Sequence, residues 1–224
     1  MKFKVNTKLA VQSESSGAGS AYINRTGVYD ATIKFASIST SANGSHSLNF
    51  NLELPTGETQ TIYGPRLTKN DGTPLDIGMG LFTSLCVIAG LSDGDEPTYV
   101  EETHKVGKDN KNQEFLVIEE MSGLPIKLRV QRTFTKWEGN IKANPEIKSF
   151  FREDGASARE IVEGTEVGVR LAYETEKFTQ DSYRDDITPE EAEAWLKEQA
   201  EARKGTGAKS TPKPTVKKVA NPFG

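Results

Sequence analysis

Apolar and polar side chains alternate most clearly from Leu124 to Trp137. Ile126, Leu128 and Val130 take one face, and Lys127, Arg129 and Gln131 the other. A period of two predicts a strand with one buried and one wet face. Thr133, Thr135 and Trp137 continue the wet parity. Arg132 falls on the core parity, where an unpaired charge is costly, so the strand is expected to bend, bulge or leave the core near it. Similar alternation upstream predicts a strand over Thr26 to Ile38, with Tyr29, Ala31, Ile33 and Phe35 inward. A second follows, with Leu48, Phe50, Leu52 and Leu54 inward and Asn49 and Asn51 outward. Asn43-Gly44 between them is a hairpin signal. After Pro55-Thr56-Gly57 a third strand, Glu58 to Tyr63, puts Ile62 inward and Tyr63 outward. Three strands joined by tight turns predict an antiparallel meander.

Asp76 is placed to cap a helix over about Ile77 to Ala89, stopped by Gly90. Gly78 and Gly80 within it allow close approach to a sheet or a looser first turn. Tyr99 to Val106 and Gln113 to Glu120 read as a hairpin. Glu138 to Gly164 reads as polar and irregular, anchored by Phe150 and Phe151. Val167, Val169, Leu171 and Tyr173 predict a last core strand over Glu166 to Tyr173. Thr188-Pro189-Glu190-Glu191 is a capping box with proline at the first helical position, opening a helix to about Arg203. Residues 1–25 read as a flexible lead-in, 26–180 as one domain, 181–203 as an acidic C-terminal helix and 204–224 as a disordered tail.

Charge is unevenly spread over the 224 residues, whose net charge is −4. Residues 153–203 carry fifteen acidic and six basic side chains, whereas 204–224 carry five lysines and no acid. From Lys127 to Lys148 there are six basic residues and two acidic ones. Two readings of that stretch compete. One is a solvated sheet face with Trp137 packed over a loop. The other is a basic strand whose interleaved aromatics stack bases while its cations meet phosphates.

Candidate chemistry of other kinds is thin. Cys86, the only cysteine, lies in the apolar run LFTSLCVIAGL and reads as a buried, inert thiol, so no intrachain disulfide forms. His46 and His104 read as surface histidines without zinc-site spacing. No glycine-rich loop has Walker spacing. No catalytic signature, cofactor motif or metal site is found, and no enzyme is expected. No stretch approaches the ~20 apolar residues of a membrane span, and MKFKVNTK has no signal-peptide core. A cytoplasmic protein is expected.

Several segments resemble phage-encoded single-stranded-DNA-binding proteins of the OB-fold type. They are GVYDATIKFAS (Gly27–Ser37), the glycine turn before LNFNLEL, LFTSLCVIAGL (Leu81–Leu91) and SGLPIKLRV (Ser122–Val130). The resemblance covers roughly residues 26–173. It implies a mainly β chain: an OB-fold-like antiparallel barrel with a helix between the third and fourth strands. It also implies sequence-tolerant binding of single-stranded DNA in replication or recombination, in the cytoplasm of an infected bacterium. On this reading Lys127, Arg129, Arg132 and Lys136 meet phosphates, supported by Lys34 and Arg66. Trp137, Tyr63 and Phe134 stack bases, and Asn49 and Asn51 hydrogen-bond bases or sugars. Pro222-Phe223 resembles the tip through which such proteins dock replication and repair partners. Here Gly224 follows the Phe and the preceding tail is basic. Two other classes compete: a structural or assembly β protein whose strands form a subunit interface, and an adaptor whose acidic helix mimics DNA.

Overall fold

Strand β1 (Gly27–Thr40) carries the architecture, because three other strands pair with it. The computed structural model describes residues 22–107 and 111–206, with side chains to 202. The lead-in before Tyr22 and the tail beyond Thr206 lie outside the described residues. Ile23 is buried, and its backbone N–H and C=O both bond the Gln60 side chain, so the packed body begins upstream of Thr26.

β2 (His46–Glu53) and β3 (Thr59–Arg66) complete the meander as expected. Leu48, Phe50, Leu52 and Ile62 are buried, while Asn49, Asn51 and Tyr63 face outward. β1 departs from its expected parity. A bulge at Lys34 shifts the register between Ile33 and Phe35, and one extra residue exchanges the two faces. Phe35 therefore pairs with outward Asn51, and Ala36 takes the core place opposite Phe50.

Helix α1 (Asp76–Ile88) follows and seats Phe82, Leu85, Cys86 and Ile88 in the core. Asp76 is in its first turn rather than at its cap, which is Leu75. Gly78 is the glycine that permits the close approach: a Cβ there would lie 1.9 Å from the Arg66 carbonyl oxygen. At Gly80 a Cβ would meet nothing within 4 Å. Burial pushes the Cys86 thiol up to about 11, as an inert core cysteine requires.

The expected hairpin, β4 (Tyr99–Val106) and β5 (Lys111–Ile118), is present. It is tied to β1 through Ser37↔Val117 and Ile38↔Leu116. β6 (Leu124–Trp137) pairs with the first half of β1, from Ile33↔Leu124 to Gly27↔Val130, and then runs past the end of β1. Its partner is β7 (Asn140–Arg152), in the stretch expected to be irregular. Ile141, Ala143, Pro145 and Ile147 do alternate with Lys142, Asn144 and Glu146 there. Small residues and a proline make that pattern weak to read. The strand leaves the core near Arg132, as expected: β6 pairs with β1 only as far as Val130 and carries no bulge of its own. The bulge falls instead at Lys148 of β7, between the pairs Arg129↔Ser149 and Val130↔Ile147.

Two short helices follow, α2 (Ala158–Glu163) and α3 (Val169–Lys177). The strand expected over Glu166 to Tyr173 is therefore corrected to a turn and helix α3. Val167, Val169 and Tyr173 are exposed, and the buried residue is Glu174, one helical turn after its ion-pair partner Arg170. β8 (Ser182–Tyr183) adds in parallel to β6. Helix α4 (Pro189–Thr206) opens with the expected box: Thr188 N–H donates to Glu191 and Glu191 N–H to Thr188 Oγ1. Ala192, Trp195 and Leu196 dock it on Phe134 and Ile187.

The chain is mainly β, with 44% strand against 25% helix, and apart from β8 the strands pair antiparallel. The sheet is not closed: among the described residues no ladder joins β3 to β7. Those two edges approach each other, and α1 packs against both. No helix among the described residues is long and apolar enough to cross a membrane.

Candidate nucleic-acid interface

The outward faces of β1, β2 and β3 and the β4–β5 hairpin enclose a groove. It consists of two adjoining hollows of about 600 and 580 Å³ that share Phe35, Asn51, Thr61, Val106 and Gly107. Tyr63 lines it and is 80% exposed, free to offer a ring face. Asn49 Nδ2 donates to Ser39 Oγ at 2.7 Å and Asn51 Nδ2 lies 3.5 Å from Thr61 Oγ1, and both side chains line the groove. Among the described residues three lysines, Lys34, Lys105 and Lys111, and one carboxylate, Glu114, line the hollows. Lys34 pairs with Glu53 at 3.5 Å, both about half-exposed, a weak contact that a phosphate can replace.

The wall contains a group that sequence reasoning missed. The His104 ring stacks on Phe35 with centroids 4.0 Å apart and planes at 10°, and Phe115 leans on Phe35 at 5.0 Å. His104 Nε2 lies 2.6 Å from Glu102 Oε2. His104 is thus part of the groove wall, not a free surface histidine. The bulge at Lys34 turns Phe35 toward it, and no residue pattern announces that bulge.

The structure brings Lys34, Asn49, Asn51 and Tyr63 together and separates the other expected site residues from them. Arg66 is held at the end of β3 by the Thr68 carbonyl and Asn70 Oδ1. Lys127 Nζ bonds Asp30 Oδ1 at 2.5 Å. Arg129 is buried, donates from Nε to Glu174 Oε2 at 2.6 Å and lies 4.8 Å over the Phe178 ring. Arg132 is forked onto Asp181 and lies 5.0 Å from the Phe134 ring. Carboxylates from β1, α3 and the chain before β8 thus pair with the basic strand, and Arg129 and Arg132 are held in ion pairs with Glu174 and Asp181. Phe134 is 0% exposed, packed between Tyr183 and Trp195 rather than on an outer face. Lys136 and Trp137 stand at the tip of the β6–β7 hairpin, Trp137 66% exposed. Pro222 and Phe223 lie outside the described residues.

A larger hollow of about 690 Å³ lies between α1, β7, α2 and α3. Its two buried carboxylates are already satisfied. Glu160 accepts backbone N–H bonds from Ser157, Gly168 and Arg170, while Glu174 takes Arg129, Arg170 and the Ser149 hydroxyl. Burial alone would raise the Glu160 pKa, but the backbone donors outweigh it and hold the carboxyl below its ordinary value.

Compared with protein-family models the chain matches none, and no curated protein matches it.

Proposed function

We propose that this protein binds single-stranded DNA in the groove between the β2–β3 face and the β4–β5 hairpin, without a catalytic step. The observation that carries the reading is Tyr63. It is a solvent-facing aromatic beside two outward amides, rimmed by lysines, in a groove with a long wall. Aromatic platforms stack any base, and lysines meet the backbone without reading sequence. The element order supports an OB-type reading. β1, β2, β3, β6 and β7 form the strand order β3-β2-β1-β6-β7, and α1 lies between β3 and the later strands. The second and third strands of that fold carry its oligonucleotide face, and Asn49, Asn51 and Tyr63 are on those strands. On this reading β4–β5 is an inserted arm. A role in phage DNA replication or recombination follows from the resemblance in Gly27–Ser37, Leu81–Leu91 and Ser122–Val130.

Titration with fluorescent oligo-dT tests the proposal. Tyr63→Ala is expected to weaken binding about five-fold to a hundred-fold, the range of one lost stacking contact, with an unchanged melting temperature. Wild-type affinity in Tyr63→Ala, or no binding by the unaltered chain at low salt, would count against it.

A further inference from the structure

Past Gly27 of β1, strands β6 and β7 continue together as a ribbon that projects from the body. It turns through Glu138 and Gly139, both at positive φ (49° and 80°), the geometry of a tight two-residue hairpin turn. The ribbon is braced along its length. Arg132 is held by Asp181, Arg184 and Lys148 both reach Glu146, Asp185 accepts from the Lys136 N–H, and Phe134 is packed under α4. At the end of this support Trp137 is 66% exposed.

The faces of the ribbon differ. Phe134, Ile141 and Ala143 turn toward α4. Trp137 pairs with Asn140 and Thr135 with Lys142, so the opposite face presents an aromatic ring, a lysine and an amide. Lys136 and Lys142 make no ion pair among the described residues. The carboxylates at this end are Glu138 in the turn and Asp185 and Asp186 beyond β8. A protein-docking hot spot is ringed by groups that exclude water. Trp137 is ringed instead by lysine and amide, which suits a base on the ring and phosphates on the cations.

The register separates this face from the groove. Tyr63 stands opposite Asn49, and Asn49 opposite Ser37 of β1. From Ser37 the path follows β1 to Gly27, crosses to Val130 and continues to Trp137. At ~3.3 Å per residue it is roughly 55 Å long. Tyr63 thus belongs to the β2–β3 end of the sheet and Trp137 to the ribbon that runs past the other end of β1.

We infer that the β6–β7 tip is a second single-strand contact, distinct from the groove, in which Trp137 stacks a base and Lys142 meets a phosphate. This rests on the groove reading above, because the strand must arrive there first. A strand long enough to reach both sites gains affinity by tethering, whereas a short one occupies the groove alone.

The experiment uses the full chain with Trp195→Phe, which leaves Trp137 as its only tryptophan. Oligo-dT of ~6 and ~20 nucleotides brackets the usual site sizes of such folds. Anisotropy reports binding, and tryptophan emission reports the tip. Expected is quenching by the long strand and none by the short one. Trp137→Ala and Lys142→Glu, each in the otherwise unaltered chain, should weaken the long strand about five-fold or more and leave the short one unchanged. If both strands bind while emission stays constant and both variants behave as wild type, the tip site is overturned and the groove reading stands. If neither strand binds at low salt, the groove reading fails and the inference with it. If Trp137→Ala instead changes the sedimentation of the DNA-free chain and leaves both affinities intact, the face belongs to a second copy and the inference is overturned.

Discussion

Arg129 Nε and Glu174 Oε2 meet at 2.6 Å, with side chains 11% and 3% exposed, at the junction of β6 with α3. Glu174 is also held by Arg170 and Ser149, so the carboxylate joins two elements and the bulged strand β7. Removing either partner leaves a buried charge without compensation, which typically costs about 3–5 kcal/mol. Glu174→Ala is accordingly expected to lower denaturant stability by that order. Arg129→Met with Glu174→Leu should cost clearly less, because both charges go together. Urea titration of Glu174→Ala, of Arg129→Met and Glu174→Leu singly, and of the double variant decides it. An additive double variant would remove the coupling.

The same pairing limits the electrostatics of binding. Counting the basic residues from Lys127 to Lys148 suggests four phosphate contacts and a log–log salt slope near −3, at ~0.7 per contact for single strands. Arg129 and Arg132 are held in ion pairs away from the groove, and the lysines that line it are Lys34, Lys105 and Lys111. Three contacts give a slope of about −2 for a short oligonucleotide, and Lys34→Ala should make it shallower by ~0.7. A slope near zero would remove lysine–phosphate contact from the mechanism, and one steeper than −4 would require cations that the groove does not present.

Alternation made β1 to β6 legible as elements, and it put Asn49, Asn51, Tyr63 and Trp137 on the outward faces they occupy. What was not legible came from two sources. The bulge at Lys34 inverts the parity of Phe35, and no propensity marks it. The carboxylates that neutralise the basic strand arrive from far along the chain: Asp30 is 97 residues from Lys127, Glu174 is 45 from Arg129, and Asp181 is 49 from Arg132. A run of charge shows its own sign, but not what folds over it. The misread stretch 166–173 fails for a related reason. Its alternating valines suit a strand, but Arg129 needs a carboxylate, and winding the chain as a helix delivers Glu174 to it.

Glu160 should make folding sensitive to acid. Its folded pKa lies below the ordinary glutamate value of 4.5, because the N–H groups of Ser157, Arg170 and Gly168 favour the carboxylate against the opposing effect of burial. A depressed carboxylate contributes stability that is fully present above its unfolded pKa and is lost as pH falls through its folded value. Glu160→Gln should therefore be less stable than wild type at pH 7. The gap should begin to narrow below about pH 4.5 and close below the folded value. Chemical denaturation of both proteins from pH 7 to 3 measures it. A gap that stays constant over the range would assign the effect of the variant to packing alone.

Phe134 separates the two roles an aromatic on β6 could have. Its ring is 0% exposed, stacked on Tyr183 at 5.5 Å and set edge-on to Trp195 at 6.2 Å. Ile187 and Ala192 close the cluster that holds α4 to the ribbon. Truncation there leaves a cavity rather than a missing platform, and Phe→Ala changes in cores cost about 3–5 kcal/mol. Phe134→Ala is expected to lower the melting temperature and to red-shift Trp195 emission as α4 loosens. Affinity for a short oligo-dT that the groove alone accommodates should not change while the body stays folded. Trp137→Ala, by contrast, should leave the melting temperature and Trp195 emission unchanged. Both emission and short-strand affinity can be read on one sample, at a temperature where Phe134→Ala is still folded. Should Phe134→Ala lose short-strand affinity there while Trp195 emission stays at its wild-type wavelength, Phe134 would be acting on the ligand, and the base-binding surface would have to be moved to β6.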